Sequence, residues 1–178
     1  AGPGYGNHEM QVFLDERELT AVTTTSTRWT TKNVVFRAAA GTYTLRFAGI
    51  DRGVDRASTL DCVSLKAVHQ PAFGNLVANP GFEEGTTGID GWKYFETETT
   101  INYGQAAFAH TDVWVCSGDA GITQDGNATW ADRPHVGNYA LFLQRTARAE
   151  QTIVLPHDGL YRISFHATGR DTKRSVVT

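Results

Sequence analysis

Long apolar runs are missing from this chain. No stretch approaches the roughly 20 apolar residues that span a bilayer, and residues 1–20 hold no apolar core of a secretory signal. A soluble chain is expected, with no membrane insertion and with any export signal removed or lying outside these residues. A basic excess is missing as well. Lys+Arg number 16 against 19 Asp+Glu, the net charge is -3, and the densest basic pair is Lys173-Arg174. Scattered cations make no stripe for a phosphate backbone, so no nucleic-acid partner is expected.

Catalytic signatures are absent too. The six histidines are dispersed, and neither His-Glu-x-x-His nor Gly-x-Ser-x-Gly occurs. Cys116 has no evident catalytic partner, His110-Thr111-Asp112 reads as a solvated loop, and Glu96 with Glu98 reads as a surface pair. No catalytic residue is assigned and an enzyme is not expected. Cysteine is limited to Cys62 and Cys116. They suit one disulfide in an oxidising compartment or two buried free thiols, and composition leaves both open. Finally, no sustained i, i+3, i+4, i+7 apolar pattern appears, which excludes amphipathic helices and leaves an all-β chain.

What is present supports a packed core: 40% of residues are hydrophobic and 20% charged. Thr is abundant, Lys is scarce, and Asn127-Ala128-Thr129 fits a glycosylation sequon, which together point to an extracellular or cell-surface setting. Period-two alternation marks the strands. Met10, Val12 and Leu14 alternate with Gln11 and Phe13, and Leu19 to Val22 returns as a hairpin arm. Val34 to Phe36 follows, then Tyr43, Leu45 and Phe47 opposite Thr42, Thr44 and Arg46. In Ser58 to Leu65, Asp61 is in phase with Val63 and Leu65, which points a carboxylate at the apolar side, where it needs a cation or several donors. Ile101 to Phe108, Asn138 to Gln144, Gln151 to Leu155 and the strand carrying Tyr161, Ile163 and Phe165 complete the set. Residues 110–134, rich in Gly, Asp, Asn and Thr, read as one long loop.

Order is the unusual property. Residues 58–65 have the character of a closing strand, yet an opening segment begins at residue 75. Leu76-Val77-Ala78-Asn79-Pro80-Gly81-Phe82-Glu83, followed by Gly91-Trp92, resembles the start of galactose-binding-like β-sandwich domains of the carbohydrate-binding-module type, found in secreted bacterial enzymes and surface proteins. Tyr139 to Gln144, Gln151 to Pro156 and Gly159 to Ala167 match later strands of that family in type and order, and residues 10–15, 41–47 and 60–65 match its last ones. Reading residues 75–178 and then 1–68 restores the family's order. The resemblance thus implies a jelly-roll-like antiparallel β-sandwich in which residues 1–68 form the C-terminal half, 69–74 a connector and 75–178 the N-terminal half. Together they amount to one domain's worth of strands. A circular permutant, a segment of a tandem array and strand exchange between copies would each produce this order.

The resemblance also implies a function: a non-catalytic carbohydrate-binding or surface-adhesion module, with a polysaccharide or glycan as partner. The alternative is a structural subunit that assembles with copies of itself and takes no sugar. Relatives often hold a structural calcium, which here implies Glu83 and Asp61 as side-chain ligands with carbonyls near Asn79 and Gly81; Cys62 stands where a further ligand often occurs. The other account of these residues is that Asp61 accepts loop amides and Glu83 is solvated. Sugar binding in water uses an aromatic platform with polar companions. Trp114, Trp130 and Tyr103 are candidate platforms, with Asp112, Asp119, Asn127 and Arg133 beside them, although a loop Trp can equally cap the core. Trp92 is expected to plug the sandwich.

Overall fold

The computed structural model describes residues 8–24, 28–50, 57–84, 91–95, 114–124 and 134–169. They form an all-β antiparallel sandwich of two sheets. The strands are β1 (His8–Leu14), β2 (Arg17–Thr24), β3 (Thr30–Ala38), β4 (Gly41–Gly49), β5 (Ala57–Ala67), β6 (Trp92–Tyr94), β7 (Val115–Ser117), β8 (Ala120–Gln124), β9 (Tyr139–Gln144), β10 (Arg148–Leu155) and β11 (Gly159–Gly169). A single 3-10 turn, Pro71–Phe73, is the helical content among the described residues. One sheet has five strands in the order β2-β1-β4-β10-β7, and the other has six, β3-β11-β5-β9-β8-β6.

The alternation read from sequence explains which faces meet. Met10, Val12 and Leu14 from β1, Leu45 and Phe47 from β4, and Ile153 and Leu155 from β10 point inward from the five-stranded sheet. Leu60, Val63 and Leu65 from β5, with Tyr161, Ile163 and Phe165 from β11, face them from the six-stranded sheet. The five-stranded sheet carries its polar alternation outward, which is the pattern of a sheet with one wet face.

Strands from both sides of residues 69–74 interleave: β11 lies between β3 and β5, and β10 pairs with β4. The described ends of the chain also meet. A Cβ placed on Gly169 would stand 2.5 Å from His8 Cδ2 and 3.3 Å from Thr24 Oγ1, so the close of β11 lies against the opening of β1.

Two features differ from the expectations above. Residues 110–134 are not one loop, since β7 and β8 lie within them. Ala120, Gly121 and Ile122 are buried, and Gly121 has no room for a side chain because a Cβ there would stand 2.2 Å from Lys93 O. Small residues chosen for a close backbone approach look like loop composition in sequence. The second difference is the phase of Asp61. Ser64 pairs with Ser164 but Asp61 pairs with His166, so β5 carries one extra residue, and Cys62 takes a φ of 53° there. A bulge of this kind reverses which residues face inward. Leu60 lies in the core before it and Val63 and Leu65 after it, which turns Asp61 to the outer face opposite His166.

Candidate binding site

The Asn79–Glu83 turn and the loop at 134–138 meet over the outer face of β5 at its bulge. Asp61 is fully buried there. Its Oδ1 accepts the Cys62 N–H at 2.7 Å and its Oδ2 accepts the Val136 N–H at 3.0 Å. Glu83 Oε1 accepts the N–H groups of Asn138 and Tyr139 at 2.9 and 3.0 Å. Gly137 fits between them because it has no side chain: its φ is 73°, and a Cβ would stand 2.2 Å from Glu83 Oε1. The two carboxylates therefore hold the segment from Val136 to Tyr139 through three of its backbone donors.

Calcium, which the resemblance implies here, needs six to eight oxygens. The Asn79 carbonyl already accepts the Trp114 indole N–H at 3.1 Å and the Phe82 N–H at 3.2 Å. The Asn79 side chain is closed on the backbone of Glu84. A Cβ placed on Gly81 would stand 3.7 Å from Asp61 Oδ1. Among the described residues no group of three or more His, Cys, Asp or Glu converges as a metal site. Each carboxylate accepts two backbone amides, so Glu83 is not left to solvent as the metal-free account expected.

Burial raises the Asp61 carboxyl above its ordinary range, while the N–H donors of Val136, Cys62 and His135 pull it back. Cys62 and Cys116 are free thiols. Burial, with Asp61 and Glu83 adding to it at Cys62, pushes both up to about 12, so neither is a thiolate at neutral pH. On the same outer face, His135 stacks on His166 with ring centres 3.7 Å apart and Trp29 tilts against His135 at 5.9 Å. Burial first, then His135, lowers the pKa of His166.

Trp114 is 1% exposed and packs between Phe47 and Phe82, so it plugs the sandwich and offers no ring face to a sugar. Trp92, expected as the plug, instead joins Tyr94, Phe142 and Ala57 in a small second cluster. Asp119 is present in the fold but holds Arg145 at 2.9 Å. Trp130, Tyr103, Asp112, Asn127 and Arg133 lie outside the described residues.

An open groove lies on the outer face of the five-stranded sheet. Its volume is about 540 Å³, and its walls include Gln11, Phe13, Arg46, Arg145, Thr146 and Arg148. Register explains the convergence. Phe13 pairs with Arg46, and Ala48 pairs with both Gln11 and Arg148, so the outward positions of β1, β4 and β10 form one patch. Arg46 lies over the Phe13 ring at 4.4 Å from its centre. The β9–β10 turn closes one end and can do so only because Gly49 is glycine: a Cβ there would stand 2.3 Å from Arg145 O. Comparison with protein-family models, with curated proteins and with solved structures finds no match to this chain.

Proposed function

We propose that this chain is a non-catalytic carbohydrate-binding or surface-adhesion module of the galactose-binding-like, jelly-roll type, working at an extracellular surface. The observation that carries the reading is the groove on the outer face of the five-stranded sheet. It combines one half-buried aromatic ring, Phe13, with planar hydrogen-bonding groups from Gln11, Arg46 and Arg148 held on strands rather than on loops. A rigid sheet fixes those groups in register, so little side-chain freedom is lost when a chain of sugar rings lies along it. The opening segment at residues 76–83 and the strand types that follow support the same reading.

Affinity electrophoresis through gels containing neutral and acidic soluble polysaccharides tests it. At least one polysaccharide is expected to retard the protein, and Phe13→Ala is expected to remove most of that retardation while the far-ultraviolet circular dichroism stays unchanged. Free migration through the whole panel would overturn the reading.

A further inference from the structure

Resting on that reading, we infer that the groove selects glycans that carry carboxylates, that is, chains containing uronic acids. The lining is unbalanced in its hydrogen-bonding chemistry. Arg46, Arg145 and Arg148 bring donors only, and no carboxylate lines the groove. Among the lining side chains the acceptors are limited to the Gln11 amide and the Thr146 hydroxyl, and Gln11 already donates to Glu18 at 3.1 Å. Neutral sugars present hydroxyls that donate as readily as they accept, so a wall of donors meets only half of their needs. A carboxylate accepts only, and a guanidinium matches it with two parallel bonds.

The fold leaves those donors available. Arg145 is committed to Asp119 at 2.9 Å. The nearest carboxylate contact of Arg46 is Glu150 at 3.9 Å, beyond hydrogen-bonding distance, and its Nε is buried with no acceptor among the described residues. Arg148 is exposed and its side chain has no partner among the described residues. The Arg46 guanidinium is therefore set against the Phe13 ring rather than saturated by hydrogen bonds, and that of Arg148 stands open to solvent. Glu150 approaches Arg46, Asp119 binds Arg145 and Glu18 accepts from Gln11, so these carboxylates reduce the local positive potential without being among the groove's lining residues. A polyanion should thus bind with marked salt dependence, and a single carboxylate should bind weakly.

Isothermal titration calorimetry with the whole chain tests this. The probes are oligogalacturonate and alginate-derived oligouronate, a neutral cello-oligosaccharide of equal length, and an oligoglutamate of equal charge, each at low and at physiological salt. At least one oligouronate is expected to bind about tenfold or more tightly than the neutral oligomer and the oligoglutamate. Raising the salt and substituting Arg148→Gln should each weaken that binding about tenfold. Arg148 is exposed, so the variant is expected to fold; an unchanged melting temperature checks this. Equal binding of the neutral oligomer would overturn the inference while leaving the glycan reading standing. Equal binding of oligoglutamate would make the groove a general anion site and overturn the sugar preference. Oligouronate binding that Arg148→Gln leaves intact would remove the groove as its location. No binding to any oligosaccharide would overturn the inference and the reading beneath it together.

Discussion

Trp114→Ala is expected to cost about 3–5 kcal/mol of folding stability, the range for removing a large buried aromatic ring. Trp114 fills the space between Phe47, at 6.2 Å between ring centres, and Phe82, at 5.3 Å. Its indole N–H is also the donor that fixes the Asn79 carbonyl at 3.1 Å. The substitution therefore opens a cavity at the centre of the core and removes a hydrogen bond in the turn that carries Glu83. Single domains are stable by about 5–15 kcal/mol, so the variant should unfold at a much lower denaturant concentration or fail to accumulate folded. Denaturation monitored by circular dichroism reads the effect directly. A variant with near-normal stability would place Trp114 at the surface and return it to the list of platform residues.

The second large effect is expected at Asp61. Replacing it by Ala strands the N–H groups of Cys62 and Val136, and each buried donor left without an acceptor costs about 1–3 kcal/mol. The loss has a pH signature. Because burial raises the folded-state pKa of Asp61, the native protein holds that proton more tightly than the unfolded chain. The contribution of this proton is fully present below the unfolded pKa and is lost as pH rises through the raised folded value. The stability gap between the native sequence and Asp61→Ala should therefore widen as the pH falls from neutral into the carboxylate range. If the amide donors alone hold Asp61 and Glu83, a chelator leaves the native melting temperature unchanged. A chelator-induced fall that calcium reverses, and that Asp61→Ala abolishes, would show that a cation and not the amide clamp holds this end of the sandwich.

Strand identity was legible where alternation was clean. The faces of β1, β4 and β11 follow from the positions of Met10, Val12, Leu45, Phe47, Ile163 and Phe165. The pairing of Asp61 with a loop was half legible. The sequence marks a carboxylate that needs donors, but a one-residue bulge at Cys62 reverses the face, and nothing in Asp61-Cys62-Val63 reveals a backbone in the left-handed region. Trp114 took the plug position expected of Trp92 for a related reason. Local composition made Trp114 look exposed, whereas its place is set by Phe47 and Phe82, which come from distant parts of the chain. The groove lay in plain view as the outward phase of two strands, with Gln11 and Phe13 on one and Arg46 on another. What joins them to Arg148 is the order β1-β4-β10, and that order depends on pairings between residues far apart in sequence.

Where a glycan touches the protein tests the proposed groove most directly. Amide chemical-shift mapping during titration with the polysaccharide fragment that binds most tightly gives that location. The largest shifts are expected at Gln11, Phe13, Arg46, Gly49 and Arg148, in one patch across β1, β4 and β10, with little change at His135, His166 or the Asp61–Glu83 clamp. Shifts that concentrate on the six-stranded sheet and leave the groove silent would contradict it.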